Sequence, residues 1–461
     1  MKQGPSTIVR VADRRVRVLV LALVVGACLV AVVVAPAAAA PVRDPIWTTT
    51  VNGDGGFYDA ATALAVSGAG TLYSTGYEYN VATGDDITVA RWDDRPDGWS
   101  RVWDGDAHGA DVGADMAVRG DVVYVVGSTQ TAAGDSDMLI LKYSSGGDVL
   151  WFETWGGAGA SWEFANRIAI DRDGTVVMAG TRRQSPAAGP VTVVVVKYAP
   201  DGDRLWARSF ARAGSNVSTA DLCLDRAGNV YVVGSSTGGG HSDGFVVSFS
   251  PAGARRWARF YDGPAHRTDK FAAVCRCPLG GVYVVGRAGA AHAASDALVV
   301  RYTAAGARVL TRFIGVGDGR RQWLNDVAVD KRGRIAVCGG WERPDPDFYV
   351  ALLKPSGALR WSHAYDNYAN RDEALSLVID SSDRVCAAGD IDVDPGIKQV
   401  GVYAFSLAGA LRWYCRWPEP AVGAEDVREI ARWQSSNVWV CGSGYVGPTT
   451  GEDQVLLGWG L

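Results

Sequence analysis

The amino-acid sequence predicts an all-β fold, a β-propeller of eight four-stranded blades. Three observations carry this prediction. A glycine that closes an apolar run recurs at nearly constant spacing, a tryptophan phrase recurs with the same period, and the two ends of the chain hold complementary parts of one unit. The chain has 461 residues, of which 57 are glycine, and so much glycine indicates many tight turns rather than long helices.

The first marker is the glycine that follows runs such as "NVYVVG" and "GVYVVG". Successive copies lie 50 to 54 residues apart, and a fixed period of this size is typical of folds in which each repeat packs on its neighbours. The marker glycines are Gly76, Gly127, Gly180, Gly234, Gly286, Gly339, Gly389 and Gly442.

The second marker is a tryptophan that, in most copies, is followed four residues later by another aromatic residue. In the one unit without this tryptophan, "LTRFI" at Leu310 takes its place. Because both markers advance at the same rate along the chain, they belong to one repeat of about 52 residues. The tryptophans are Trp47, Trp99, Trp151, Trp206, Trp257, Trp361 and Trp413.

Each unit holds four short apolar runs separated by turn residues. In the fourth unit they read "TADLCLD", "NVYVVGS", "DGFVVSFS" and "RRWARFY". Runs that are rich in Val, Tyr and Trp and bounded by Gly, Asp and Ser are typical of β-strands. A four-stranded unit with a period of about 40 to 50 residues is typical of a propeller blade.

The chain ends indicate how the repeat closes. The last unit stops at "QVLLGWGL", its third strand, whereas the first copy of the fourth strand, "WTTTV" at Trp47, precedes every other strand. We therefore expect the N-terminal strand to complete the last blade and close the ring, which removes two open sheet edges. One propeller domain of eight repeats then spans 44–461.

Residues 1–40 form a separate segment. Basic residues between Arg10 and Arg17 precede a stretch that carries no charge until Arg43, and small residues occupy Ala37 to Ala40. This order is typical of a cleaved secretory signal peptide, and the stretch is also long enough for an uncleaved N-terminal membrane anchor. Either interpretation predicts an extracytoplasmic protein, secreted or anchored at the cell envelope, which touches a membrane only if the segment is uncleaved.

Three phrases show the pattern of the repeat most fully: "IAIDRDGTVVMAGT" from Ile168, "SDMLILKYSSGGDVLW" from Ser136 and "SDALVVRY" from Ser295. The pattern resembles the SBBP family of secreted bacterial β-propeller repeats. The resemblance covers nearly all of the chain after residue 45, and its motifs specify a repeat fold without any chemistry. Because the family is named for seven blades, seven blades stand as the alternative to eight.

Features that occur in every unit are expected to be structural. Ten of the 17 tryptophans belong to the fourth-strand phrase, where the stems of Arg101, Arg208, Arg259 and Arg312 can lie against the rings. Asp171, Asp225, Asp330 and Asp380 precede the marker glycine by nine residues, and aspartate at such a place accepts hydrogen bonds from turn amides.

Seven cysteines follow the N-terminal segment, and four of them, Cys223, Cys275, Cys338 and Cys441, stand in columns of small apolar residues. Their odd number implies at least one free thiol or an intermolecular link in an exported protein. Cys415 stands in the column that holds arginine elsewhere, so we expect it to be exposed.

The charge pattern argues against nucleic acid as a partner. The chain has 45 basic and 50 acidic residues, interspersed, with a formal net charge of -5. A protein that neutralises phosphates would carry a basic stripe, and none is visible in the sequence.

The long connections predict the binding face. Turns between first and second strands and between third and fourth strands are short and uniform, whereas the other connections are long and differ from unit to unit. Long variable loops on a rigid scaffold are where binding residues usually lie. The candidate ligand-binding residues are Trp162, Arg320, Arg321, Trp323, Trp341, Arg343, Asp372 and Glu373. His108, His241, His266 and His292 also fall in these loops, but their spacing specifies no metal site.

The sequence thus predicts a non-catalytic exported propeller that binds an unknown protein or glycan, with no catalytic residue, cofactor or metal assigned. It lacks the nucleophile-elbow, zinc-protease and phosphate-loop motifs. Calcium is considered at the Asp-x-Asp pairs Asp135/Asp137 and Asp345/Asp347, although neither continues into a full calcium loop.

The alternative is a quinoprotein-like dehydrogenase. Eight blades and turns such as "GGDVLW" resemble the tryptophan-docking repeats of pyrroloquinoline quinone enzymes. Those enzymes commonly carry two adjacent cysteines, whereas Arg276 separates Cys275 from Cys277 here. Whether the protein is an enzyme therefore stays open, with the binding function favoured.

Overall fold

The computed structural model describes residues 47–51, 59–92, 98–157, 161–184, 189–290, 294–315, 319–342, 345–366, 371–380, 382–394, 397–417, 425–433, 437–445 and 452–460. All of them belong to one compact unit, Ala40–Leu461. They form 32 β-strands and no helix, so this part of the chain holds no helix that could cross a membrane. The segment 1–40, Arg343 and His292 lie outside the described residues.

The strands have the following bounds. In the first half of the chain they are β1 (Trp47–Val51), β2 (Ala60–Val66), β3 (Leu72–Asn80), β4 (Gly84–Trp92), β5 (Trp99–Trp103), β6 (Asp111–Arg119), β7 (Val122–Gln130), β8 (Ser136–Tyr143), β9 (Val149–Trp155), β10 (Ser161–Ile170), β11 (Val176–Gln184), β12 (Val191–Tyr198), β13 (Arg204–Phe210), β14 (Asn216–Leu224), β15 (Val230–Gly238) and β16 (His241–Phe249). In the second half they are β17 (Arg255–Tyr261), β18 (Lys270–Arg276), β19 (Val282–Gly289), β20 (Ser295–Tyr302), β21 (Arg308–Ile314), β22 (Gln322–Val329), β23 (Ile335–Glu342), β24 (Pro346–Leu353), β25 (Leu359–Tyr365), β26 (Asp372–Ile379), β27 (Arg384–Asp394), β28 (Ile397–Ser406), β29 (Leu411–Trp417), β30 (Glu425–Trp433), β31 (Asn437–Tyr445) and β32 (Glu452–Gly460).

The strands pair in groups of four. From β2 to β29, each group of four consecutive strands forms an antiparallel sheet in which chain neighbours are sheet neighbours. The remaining strands form a sheet of order β1-β32-β31-β30, in which Trp47 pairs with Gly458 and Val51 with Gln454. One parallel bridge, between Ser136 and Trp162, links two of the groups. The predicted all-β class and its four-stranded antiparallel units are confirmed.

Neighbouring sheets pack face to face through their middle strands. In β15, Val232 packs with Val195 of the preceding sheet, whereas Val233 packs with Val284 of the following sheet. Adjacent side chains of a strand point to opposite faces, and all four of these valines are fully buried. The continuous apolar runs of the middle strands are therefore needed to cover both faces of each sheet.

The marker glycines allow a β-bulge in the first strand of each sheet. At Gly234 a Cβ atom would lie 1.8 Å from the carbonyl oxygen of Ser218, so no side chain fits. Beside it the pairing register shifts between Thr219 and Asp221, which leaves one extra residue on the first strand. The extra residues in the first strands are Thr62, Ala114, Asn166, Ala220, Ala272, Asn325, Leu375 and Arg428.

The fourth-strand tryptophans join each sheet to the next. Trp206 Nε1 donates to the carbonyl oxygen of Pro251 at 2.9 Å, and Arg208 Nε donates to that of Gly253 at 2.8 Å. Gly253 has a φ of 80°, and a Cβ atom there would lie 2.8 Å from the Trp206 ring, so glycine lets this turn rest on the indole. These contacts agree with the structural interpretation of the tryptophans. Trp99, Trp151, Trp257 and Trp361 make equivalent indole-to-carbonyl bonds.

Cys415 is buried, with 1% of its surface exposed, so the prediction of an exposed thiol is wrong. It pairs with Val402 and packs in a cluster with Cys386 and Trp413. Arginine in this column reaches the turn of the next sheet, as Arg208 does, but the cysteine side chain is too short to leave the cluster. All seven cysteines are free of disulfides.

Removal of residues 44–52 is expected to destabilise the protein, because β32 would lose its partner β1 and expose a strand edge. We expect a protein that lacks residues 1–52 to have a clearly lower Tm, and to aggregate more on heating, than one that lacks only residues 1–43. Scanning calorimetry combined with light scattering measures both properties. Equal Tm values for the two proteins would contradict this expectation.

Candidate functional site

A cavity of about 560 Å³ lies where the long connections enter the first strands β18, β22 and β26. Its position follows from the repeat, because the first strands of three successive sheets begin beside one another. Basic, aromatic and acidic side chains line it together. They include Lys270, Phe271, Arg287, Arg321, Trp323, Asn325, Glu342, Arg371 and Glu373.

Glu373 holds one wall of this cavity in place. Its Oε1 accepts hydrogen bonds from Trp323 Nε1 at 2.6 Å and from Asn325 Nδ2 at 2.8 Å, and its Oε2 accepts one from Arg371 Nη2 at 2.7 Å. The hydrogen bond to Glu373 raises the pKa of Arg371. Both carboxylate oxygens are engaged, so Glu373 positions the aromatic wall of the cavity.

Arg321 is paired but remains accessible. Its Nε lies 3.2 Å from Glu342 Oε2, and its backbone nitrogen donates to the same oxygen at 3.2 Å. Its side chain is 60% exposed, so solvent screens the ion pair strongly. Arg320 lies beside it and donates from Nη1 to the backbone oxygen of Glu342 at 3.4 Å.

Arg287 differs from the other basic groups of the cavity. It lies on β19, opposite Lys270 of β18, and its side chain makes no hydrogen bond or ion pair with any described residue. Burial, together with the nearby charge of Arg321, lowers the pKa of Arg287. Arg287 and Arg321 also line an adjoining cavity of about 270 Å³ with Arg267. The guanidinium of Arg287 is half-buried and forms no ion pair with a described residue, and Glu373, whose charge partly offsets the effect of burial, is already bonded to Trp323, Asn325 and Arg371.

This arrangement suits an anionic ligand group. A guanidinium presents a planar set of donors that matches a carboxylate or phosphate in a bidentate fashion. Phe271 and Trp323 add aromatic surface to the same cavity, which can bury the apolar part of a ligand. The cluster of basic groups is local, since the whole chain has a formal net charge of -5.

The structure brings together three of the predicted binding residues, Arg321, Trp323 and Glu373, with Arg320 beside them. Trp341 packs against Tyr349, with ring centroids 5.3 Å apart. Asp372 is fully buried, and its Oδ1 accepts the backbone N–H of Asp392 at 3.1 Å. Trp162 is 49% exposed on β10 and does not line this cavity. Arg343 lies outside the described residues.

Sequence reasoning missed Arg287, although the repeat contained a signal for it. Arg287 directly follows the marker glycine Gly286, and it is the only basic residue at this place in the repeat. The other units carry Tyr77, Ser128, Thr181, Ser235, Gly340, Asp390 and Ser443 there.

A second polar cavity, of about 330 Å³, is lined by the first strand of every sheet. The residues that follow the bulges face it, and in alternate units they are acidic. In chain order they are Ala63, Asp115, Arg167, Asp221, Ala273, Asp326, Ser376 and Glu429. In the sequence each acid precedes its marker glycine by 12 or 13 residues, a pattern that periodicity could have revealed.

Each of these acids accepts a backbone N–H from the next first strand. Asp115 Oδ2 accepts from Ile168 at 2.9 Å, and Asp221 Oδ2 accepts from Val274 at 2.8 Å. Glu429 Oε2 accepts from Leu64 at 2.9 Å, which links β30 with β2. Asp326 makes the equivalent contact with Leu377.

The pKa values of the four acids of this cavity are raised by burial. Burial raises the pKa of Asp221 to about 7 and that of Glu429 to about 8, against the opposing effect of Arg167. Burial also raises the pKa of Asp115 and of Asp326. The Nε atom of Arg167 lies 3.7 Å from Asp221 Oδ1, and its positive charge favours the ionised form of all four acids.

Three groups of carboxylates elsewhere could hold a metal ion, since one oxygen from each member lies within 4.8 Å of the others. One group includes the predicted Asp345 and Asp347. Asp135 and Asp137 belong to none of the three, and Asp135 accepts a hydrogen bond from Thr131 Oγ1. The groups are Asp86/Asp104/Asp111, Asp243/Asp262/Asp269 and Asp345/Asp347/Asp366.

Comparison with known proteins bears on the fold. No protein-family model matches the chain, and no curated protein matches it. Among solved structures, the chain is similar to Sqt1 from Chaetomium thermophilum, with a TM-score of 0.54 and 12% identity over 88% of this chain and 97% of that chain. The WD40 domain of SCAP from fission yeast aligns with a TM-score of 0.49 and 11% identity, over 88% of this chain and 96% of that chain. The likeness to Sqt1 concerns the fold alone and says nothing of function.

The buried acids predict that stability falls as pH rises from about 4 to 8. In this range the folded state keeps protons on Asp221 and Glu429 that the unfolded chain releases, so each group lowers the free energy of unfolding by up to about 1.4 kcal/mol per pH unit. Urea unfolding at pH 5 and pH 8 measures the difference. We expect D221N/E429Q, whose amides still accept the backbone N–H groups, to reduce it. An unchanged pH dependence in this variant would show that other groups cause it.

Proposed function

We propose that this chain is an exported, non-catalytic β-propeller that binds a partner through the cavity at Arg287 and Arg321. In this proposal the sheets form eight blades closed into a ring. Support comes from the pairing of β1 with β32, from the hydrogen bond between Leu64 and Glu429, and from the single cavity that the first strand of every sheet lines.

Export rests on the sequence. The basic and apolar segment 1–40 has the features of a secretory signal or an anchor, and the repeat resembles the SBBP family. The protein then acts outside the cytoplasm, in solution or at the cell envelope, where a rigid ring is suited to presenting loops to a partner.

The observation that carries the binding function is the half-buried guanidinium of Arg287, which forms no ion pair with a described residue. Burial of a cation without a counter-ion costs free energy, and proteins usually avoid it by pairing the charge. The neighbouring Arg321 and Arg371 both have glutamate partners, but Arg287 has none among the described residues. The guanidinium of Arg287 lowers the stability of the free protein and lines a cavity. A ligand that brings a negative charge into this cavity would explain why the protein keeps it.

The ligand group is a carboxylate or a similar planar anion. Arg287 and Arg321 can clamp such a group, while Phe271 and Trp323 contact the atoms that carry it. A glycan with uronic acid units and a protein with an acidic loop both present this chemistry, so both belong in the test.

The test measures binding of two defined probe sets, uronate-containing oligosaccharides and Asp/Glu-rich peptides, by isothermal titration calorimetry. We expect one set to bind, and R287A/R321A to weaken that binding by about 10-fold to 100-fold, since charge-assisted hydrogen bonds are lost. We also expect R287A alone to keep or raise the Tm, because it removes an uncompensated charge.

The matched control is R172A/R226A/R332A. It removes three exposed arginines from the short turns between first and second strands, at the opposite ends of the strands. It changes the net charge more than the test variant does, so retained affinity excludes a general charge effect. The proposal fails if neither probe set binds with a Kd below about 1 mM, or if the control loses as much affinity as R287A/R321A.

A further inference from the structure

Three aspartates converge where β4, β5 and β6 meet, away from both cavities. Asp86 belongs to β4, Asp104 directly follows β5, and Asp111 is the first residue of β6. One oxygen from each lies within 4.8 Å of the others. Oxygen ligands that share one calcium ion lie about 2.4 Å from it, so they can be at most about 4.8 Å apart. The spacing of the three carboxylates therefore fits a single ion.

One buried oxygen of this group lacks a hydrogen bond from the described part of the protein. Asp86 is 1% exposed, and its Oδ2 accepts a hydrogen bond from Thr83 Oγ1 at 2.8 Å. Its Oδ1 has no partner at normal hydrogen-bond distance among the described residues, although the side chain of Asn80 lies near enough to favour the ionised form of Asp86. Asp111 is also 1% exposed, and both of its oxygens accept backbone N–H groups, from Gly105 at 2.6 Å and from Gln130 at 3.2 Å. An unpaired buried carboxylate oxygen is costly, and an ion at the centre of the group would remove that cost.

The local charge balance is negative. Burial raises the pKa of Asp86 and of Asp111, and the charge of Asp104 raises both further. Among the described residues the nearest positive group is His108, whose Nδ1 lies 2.6 Å from Asp104 Oδ2 on the surface. No lysine or arginine of the described chain forms an ion pair with any of the three aspartates.

The chain contains a second group of three aspartates in an equivalent loop, and that group has an arginine partner, which the first group lacks among the described residues. The phrases "WDGDAHGAD" at Trp103 and "YDGPAHRTD" at Tyr261 form equivalent loops, and His108 and His266 both have positive φ, 50° and 48°. In the second copy, Asp243, Asp262 and Asp269 converge as Asp86, Asp104 and Asp111 do. There a guanidinium nitrogen of Arg212 contacts Asp243, so the protein supplies its own cation.

We propose that Asp86, Asp104 and Asp111 bind one divalent cation, calcium, which provides the positive charge that Arg212 provides to Asp243 in the second copy. Carboxylates are the ligands that calcium prefers, and calcium tolerates the irregular geometry of a loop site completed by water. The ion would tie the connection between β5 and β6 to β4, and so join two neighbouring sheets on the outer side of the fold.

The experiment is a titration of the purified, EGTA-treated protein with CaCl2, followed by calorimetry and by the Tm. We expect binding at this site, with a Tm that rises with calcium concentration because the ion binds only the folded protein. We expect D86N and D104N each to weaken it by at least about tenfold. Terbium gives a direct readout, since a Tb³⁺ ion at Asp104 lies next to Trp103 and gains luminescence through it, which D104N should remove and excess CaCl2 should compete away.

The matched control is D262N, which makes the same change at the equivalent place of the second copy, where Arg212 already provides the positive charge. It should bind calcium as the wild type does. Asp104 is partly exposed, so D104N should fold with the Tm of the wild type in EGTA, which separates a lost ligand from a lost fold. The proposal is wrong if the wild type binds no calcium, if D104N binds it unchanged, or if D262N loses as much binding as D104N.

Discussion

The fold depends on a repeated contact between first strands, in which a carboxyl group just past a bulge accepts a backbone N–H of the next sheet. A first strand is the inner edge of its sheet, so its outward amides have no strand to pair with, and buried amides need partners. Asp115, Asp221, Asp326 and Glu429 provide these partners at every second junction. The bulge makes this possible by turning the acid toward the neighbouring strand, and the marker glycine makes room for the bulge.

The same contact sets the electrostatics of the interior. Four carboxyl groups face one cavity with Arg167 as the basic group that influences all of them. Burial raises the pKa of all four carboxyl groups, and the single guanidinium of Arg167 opposes this effect only in part. At the outer edge the sheets are joined without acids, since indole and guanidinium donors of the fourth strand bind carbonyl oxygens of the next turn. The first strand of a sheet thus provides hydrogen-bond acceptors to the next sheet, whereas the fourth strand provides hydrogen-bond donors.

Charged groups that stabilise the fold have hydrogen-bond or ion-pair partners within the protein, whereas charged groups of a binding site lack them until a ligand binds. Glu373 uses both oxygens to hold Trp323, Asn325 and Arg371, and the buried Asp372 accepts the amide of Asp392. Arg287 forms no ion pair and Asp86 Oδ1 no hydrogen bond of normal length with the described residues, and each lies near a group of like charge, Arg321 and Asp104 respectively. Such groups reduce the stability of the free protein, and this is the expected cost of a binding site held ready within a rigid scaffold.

Sequence alone determined the period, the all-β class and the four strands of each unit, because turn residues and apolar runs act over a few neighbouring positions. It also identified Arg321, Trp323 and Glu373 as loop residues, but it could not separate them from Trp341 and Asp372, whose packing and backbone hydrogen bonds are long-range. Arg287, the acids after the bulges and the burial of Cys415 were decided only by the tertiary structure. Each depends on residues from different strands that meet only in the folded protein, and burial and pKa are properties of that contact rather than of either segment.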